Sequence, residues 1–191
     1  MIRSFIAIEL EDKETTEKIS LFSQRLKQNQ PKIKLVEPEN LHITIKFLGN
    51  ISEHLAPKIY TILQEDINEK FFLGNNLNYL LKGVGQFHNF SVIWIKLIGN
   101  IQFLQTIKNS IEKLLTDKLN IDRDKRTKFE PHLTIGRLKK NRINYKTFTS
   151  FKNLIKENND LEFGDFTINQ VKLKKSQLTL KGPIYSDLEY R

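Results

Sequence analysis

Two histidines sit in the same local frame. His42 opens LHITIKFLG (residues 41–49) after one leucine, and His132 follows the proline of PHLTIGR (131–137). In each segment a threonine, Thr44 or Thr134, follows two residues later, with aliphatic residues between and after the polar pair. Alternate side chains of a strand share a face, so each segment offers an imidazole and a hydroxyl side by side, with Leu41, Ile43, Ile45 and Phe47, or Leu133 and Ile135, on the opposite face. Displacing an alkoxide from phosphorus needs a base for the attacking oxygen and an acid for the leaving one, each contributing on the order of 10²- to 10⁴-fold. Imidazole, with an unperturbed pKa of ~6.5, serves either role near neutral pH. A hydroxyl on the same face can donate to a non-bridging phosphate oxygen as charge grows there. A lone H-x-T in a strand is an ordinary solvated sheet face, whereas two copies in matching contexts ninety residues apart are a constellation. Lys46 falls on the His42 face by the same alternation, as a phosphate contact or a solvated lysine at the rim.

The surrounding sequence supplies elements to hold these strands. IRSFIAIEL (2–10) alternates as a first strand. Residues 12–28 carry Ile19, Phe22 and Leu26 at helical spacing, with Asp12 or Thr15 as cap. A short strand at 32–38 closes at Pro38, and the first histidine strand ends at Gly49. Ser52 opens a helix of about twenty residues with Pro57 in its first turns. NLNYLLKGVGQF and FSVIWIKLI read as strands, and 101–118 as a helix with Ile101, Leu104, Ile107, Ile111, Leu114 and Leu115 on one side. The charged loop DRDKRTKFE (122–130) leads into the second histidine strand. A helix around 145–157 and two closing strands, FTINQVKLKKS and QLTLKGPIYSDLEYR, follow. This order predicts an α+β fold spanning 1–191 as a single bilobal domain. Its two antiparallel sheets face a central cleft, with helices on the outer sides and a pseudo-two-fold relation between the lobes.

Composition narrows the function classes. The chain has 191 residues, 39% of them hydrophobic, which suits one sizeable globular domain. No apolar run reaches the length of a membrane span and the N-terminal stretch does not read as a signal peptide, so the expectation is a cytoplasmic protein with no membrane association. The absence of cysteine removes disulfides, thiolate metal sites and cysteine nucleophiles. Thirty-one Lys and Arg against 22 Asp and Glu give a formal charge of +9. Such a surface attracts polyanions, although lysines kept for solubility produce the same excess.

Other residues invite weaker readings. His54 and His88 lack ligand spacing to the other histidines, and a zinc site needs three or four convergent ligands, so no metal is expected. Phe87, Phe90 and Trp94 could stack a nucleobase or fill the core, with Phe87 and Phe90 favoured because they flank a turn. Lys125, Arg126 and Lys128 could guide an RNA backbone or form a solvated loop. No glycine-rich phosphate loop is present to serve ATP.

HITI and HLTI match the paired H-x-T-x signature of the two-histidine phosphoesterase superfamily. The phrases MIRSFIAIEL, VEPENLHITIKFLGNI, VGQF, FEPHLTIGRLK and LTLKGPIYSDLEY, in that order from residue 2 to about 190, resemble the RNA 2',3'-cyclic phosphodiesterases once named 2'-5' RNA ligases. The resemblance implies a cleft between two lobes, no cofactor or metal, and hydrolysis of an RNA terminal 2',3'-cyclic phosphate to a 2'-phosphate. It implies His42 and His132 as acid and base and Thr44 and Thr134 as phosphate ligands. Opening the ring toward a 2'-phosphate requires the acid beside the 3' oxygen; His132 is taken as base and His42 as acid, an assignment the sequence does not distinguish. The family also tends to carry an arginine where Arg137 stands. Strict alternation would turn Arg137 away from His132, so it reaches the phosphate only if the strand bulges, for which Gly136 is a plausible cause. The expected partner is RNA with a 2',3'-cyclic end and the expected state a monomer. Weak 2'-5' ligation is the same chemistry in reverse. The rival readings are a phosphodiesterase for a small cyclic nucleotide or ADP-ribose cyclic phosphate, and a non-catalytic module that binds RNA ends.

Overall fold

The computed structural model describes residues 1–74, 77–125, 128–179 and 183–190. Nine strands pair into one antiparallel network: β1 (Ile2–Glu9), β2 (Lys34–Leu35), β3 (His42–Ile51), β4 (Leu77–Phe87), β5 (Val92–Ile98), β6 (His132–Arg137), β7 (Glu162–Ile168), β8 (Lys172–Leu178) and β9 (Pro183–Asp187). Their order is β7-β4-β5-β6-β3-β1-β8-β9, with β2 also on β6. The two half-sheets expected from the duplicated layout appear as two arms, β6-β5-β4-β7 and β3-β1-β8-β9, each starting from a histidine strand. The arms are joined rather than separate. β3 and β6 share one registered pair, Ile43 with Leu133, after which β2 takes over the edge of β6 at Gly136 and Arg137.

The helices are α1 (Lys13–Asn29), α2 (residues 55–72), α3 (Ile101–Leu119) and α4 (Tyr145–Glu157). Asp12 caps α1 by accepting the Thr15 amide at 2.7 Å, which settles the choice between Asp12 and Thr15. The Thr15 hydroxyl instead donates to the Asp165 carbonyl of β7. α1 packs on β7, β6 and α4, while α4 packs on β4 and α2 packs on β8 and α3. The buried rows Ile19–Phe22–Leu26 and Leu104–Ile107–Ile111–Leu115 match the helical spacing in the sequence. They cover the sheet face that carries Ile43, Ile45, Leu133 and Ile135, all at most 2% exposed. None of the helices found among the described residues is long and apolar enough to cross a membrane.

Several boundaries differ from the expectations. α2 begins at Leu55, not Ser52, and its middle, Ile62–Asn68, widens to π hydrogen bonding. β3 continues through Gly49 to Ile51, because Gly49 adopts φ +69° within a bulged pairing to Ser4. The segment read as one strand, FTINQVKLKKS, is the end of β7 and the start of β8, which lie in opposite arms. The amide of Asn68 holds the join, donating to the Val171 carbonyl and accepting the Val171 amide.

Candidate active site

The pair Ile43–Leu133 is formed by the residue between histidine and threonine in each signature. Antiparallel register through it sets His42 toward Thr134 and Thr44 toward His132, all four on the face away from the helices. The local environments repeat: residues 41–47 and 131–137 show the same succession of buried, half-buried and exposed positions, with both histidines and both threonines half-buried.

The two imidazoles are also held alike. His42 Nδ1 lies 2.7 Å from the Asn40 carbonyl oxygen and His132 Nδ1 lies 2.9 Å from that of Glu130, in each case the residue two positions earlier. A carbonyl oxygen only accepts, so each Nδ1 carries a proton and donates it. That fixes the neutral tautomer with its lone pair on Nε2. Two oriented Nε2 atoms, with two hydroxyls beside them, are suited to exchanging protons with an anion on that face.

The pairing repeats a further irregularity. Ala7 pairs with Thr44 but Ile6 with Lys46, so Ile45 is an extra residue in β3; Trp94 pairs with Thr134 but Ile93 with Gly136, so Ile135 is an extra residue in β6. Each bulge reverses the alternation after the threonine. In β6 it turns Arg137 back to the His132 face, exposed, as the sequence required for any role at the phosphate. In β3 it corrects the placement of Lys46. That lysine is 2% exposed and points among the helices, where its Nζ lies 3.0 Å from Asp124 Oδ1, 3.6 Å from Glu112 Oε1, and donates to the Asp122 carbonyl. Lys108 of α3 completes the cluster, donating to Asp124 Oδ2 at 2.8 Å and to Glu112. Burial raises the Asp124 carboxyl, but the Lys108 and Lys46 ammoniums outweigh it and hold it below the usual range. Lys46 therefore ties β3 to the loop leading to His132 and does not face the site.

The electrostatics around the histidines are unequal. Glu9 is the cross-strand neighbour of His42, and Lys96 that of His132. Burial pushes the His42 imidazole below its ordinary value, Lys174 and Arg137 push the same way, and the Asn40 hydrogen bond and Glu9 only partly oppose them. Glu9 is itself tied up. Lys172 donates to it at 2.6 Å and Lys174 contacts both Glu9 and Asp187. Although burial works against its ionisation, those ammoniums hold its carboxyl below the usual range.

Aromatic rings border both imidazoles. Phe5 and Tyr185 stand 5.1 and 5.3 Å from His42, and Phe87 and Trp94 stand 5.0 and 6.2 Å from His132, centroid to centroid. Of the three rings weighed from sequence, Phe87 and Trp94 thus lie at the site. Phe90, favoured over Trp94, instead packs on Phe148 and Phe151 of α4. Lys125 is exposed, Lys128 pairs with Glu130 at 2.9 Å, and Arg126 lies outside the described residues. His54 bonds Ser52, and His88 is exposed in the β4–β5 turn. Among the described residues no group of three or more His, Asp or Glu side chains could hold a metal ion.

The family model for the AKAP7 2'5' RNA ligase-like domain matches residues 4–186. The chain belongs to the two-histidine phosphoesterase family. It is 37% identical to the RNA 2',3'-cyclic phosphodiesterase of Methanocaldococcus jannaschii over 96% of both chains. With the protein of the same description from Methanothermobacter thermautotrophicus it shares 31% identity, over 98% of this chain and 97% of the relative. The fold is similar to that of Escherichia coli LigT complexed with 3'-AMP (TM-score 0.66, 21% identity, 98% of this chain and 95% of that one). It is similar in the same degree to TT0787 of Thermus thermophilus (TM-score 0.66, 23% identity, 98% and 95%).

Within this two-histidine frame, the sequence reading missed Phe5, Phe47, Tyr185 and Glu9. Phe5 and Glu9 lie on β1, whose alternation was read without its pairing partner. Tyr185 lies on a strand whose place in the sheet was not predictable. Phe47 had a usable signal: it stands five residues after His42, as Arg137 stands five after His132.

Proposed function

We propose that the protein is a metal-independent RNA 2',3'-cyclic phosphodiesterase that opens a terminal cyclic phosphate to a 2'-phosphate. The observation that carries this reading is the pair of Nδ1–H to carbonyl hydrogen bonds, which leave two Nε2 atoms with paired threonines on one face. One imidazole takes a proton from water as its oxygen attacks phosphorus. The P–O3' bond breaks, and the other, as imidazolium, gives its proton to the departing 3' oxygen. The products are a 2'-phosphate and a free 3'-hydroxyl. Thr44, Thr134 and Arg137 stabilise the charge on the non-bridging oxygens. Because its surroundings keep His42 neutral, we assign it the base and His132 the acid, the reverse of the assignment made from the ring-opening direction alone. Run backward with a 5'-hydroxyl in place of water, the same steps give weak 2'-5' ligation. The relatives described as RNA 2',3'-cyclic phosphodiesterases and the +9 formal charge both support RNA as substrate.

The test is product identity from a short RNA with a 2',3'-cyclic end. A 2'-phosphate supports the reading, and a 3'-phosphate or no turnover rejects it. His42→Ala and His132→Ala should each lower turnover by about 10²- to 10⁴-fold with circular dichroism unchanged. Full activity in either would remove the acid and base assignment. Dialysis against a chelator should leave the rate unchanged.

A further inference from the structure

The bulge that returns Arg137 to the site in β6 has a counterpart in β3, and there the residue turned out is Phe47. Its side chain is on the His42 face and 70% exposed, an uncommon position for a phenylalanine that could gain about 1.5–3 kcal/mol from burial. It does not stand alone. Phe5, its cross-strand partner, lies 6.3 Å from it and fills the space between it, His42 and Tyr185. Phe5 is itself 3% exposed, so Phe47 rests on a packed aromatic floor while its other face meets solvent. Arg3 lies two residues from Phe5 on the same face of β1. Burial raises the Tyr185 hydroxyl, and the guanidiniums of Arg137 and Arg3 both oppose that, which puts cations at either side of the aromatic group.

We infer that Phe47 is a platform on which a nucleobase of the RNA end stacks, so that the bulged position of one half-site holds phosphate charge and that of the other holds a base. This deepens the proposed function and rests on it for the substrate class. The symmetric parts, His42 with Thr44 and His132 with Thr134, could accept a cyclic phosphate in either of two orientations related by the pseudo-two-fold. Arg137 and Phe47 differ in chemistry and remove that degeneracy. A guanidinium at one end draws the anionic oxygens, and an aromatic face at the other takes the base. Stacking on one ring tolerates any base, since every base has a π-face.

The experiment compares an oligonucleotide ending in a 2',3'-cyclic phosphate with a base-free substrate, 1-O-methylribose 2',3'-cyclic phosphate, for wild type, Phe47→Ala and Phe47→Trp. Phe47→Ala should raise KM for the oligonucleotide about tenfold or more. It should leave kcat within a few-fold and KM for the base-free substrate unchanged, and Phe47→Trp should retain wild-type KM. Equal changes on both substrates, or none on either, would overturn the platform. Calorimetric binding of uridine 2'-phosphate against ribose 2-phosphate provides a readout that does not depend on turnover. Wild type that turns over neither substrate yet loses its preference for the nucleotide in Phe47→Ala would refute the hydrolase reading and leave the platform standing. Equal binding of the two ligands to wild type would refute the platform whatever the activity.

Discussion

Ile43 of β3 and Leu133 of β6 form the one registered pair through which the two arms of the sheet meet, and each stands between the histidine and the threonine of its signature. Both side chains are fully buried against the helices. The apolar contact that joins the halves is therefore the back of the candidate active site, and packing and site geometry share one origin. With one pair between β3 and β6, the four polar side chains come together without the strands running side by side along their length.

His42 sets the acid limb of activity. It must be neutral to act as base, and its imidazole titrates below the ordinary value of ~6.5. The rate constant kcat/KM for a cyclic-ended RNA should therefore stay level as pH falls through ~6.5 and decline only below it. The groups around it are Glu9 of β1, Lys174 of β8, Arg137 of β6 and Tyr185 of β9. Lys174→Met removes a cation and releases Glu9 from a partner, and both changes favour the imidazolium. The acid limb of that variant should move to higher pH. A limb that stays in place would separate the pH dependence from His42.

Lys46 is predicted to matter for stability and not for RNA contact. Lys46→Met leaves Asp124 and Glu112 short of a partner beneath the sheet. Breaking a buried pair costs roughly 3–5 kcal/mol, and the lower end applies because the Asp124 side chain is 32% exposed. Chemical denaturation should show a loss of about 3 kcal/mol. The slope of log affinity against log salt for RNA should equal that of wild type, whereas a reduced slope would return Lys46 to the phosphate contacts.

Gly85 admits the Trp94 ring that borders His132. A Cβ at this position would lie 2.2 Å from the indole, so Gly85→Ala must displace the ring. Overpacking of this kind costs about 1–3 kcal/mol, and the variant should melt earlier and turn over cyclic-ended RNA more slowly. Unchanged turnover together with a lowered melting temperature would show that the Trp94 wall does not orient His132.

Much of this was legible from the chain. The spacing of Ile19, Phe22 and Leu26, and of Leu104, Ile107, Ile111 and Leu115, located two helices because a 3.6-residue period marks the face that packs. Helix 145–157 was read to the residue. The histidine strands were visible from alternation, since one face is packed by helices and the other bears the polar pair. Lys108 and Glu112 were not foreseen as buried, because a lysine and a glutamate one turn apart read as a solvated pair until Lys46 and Asp124 close the cluster. Tyr185 could not be assigned to His42, because nothing in a local sequence states which strand lies beside β8.

The sequence alone determined which side chains could do chemistry and that they come in two copies, because residue type and a two-residue period are local properties. The tertiary structure decided which residues face the site beyond each threonine. Strict alternation put Lys46 with His42 and sent Arg137 away from His132, and one extra residue in each strand, Ile45 and Ile135, reversed both. A bulge forms where a strand must match its neighbours on both edges. Its position depends on β1 and β5, which lie tens of residues away along the chain, and not on the residues that it turns.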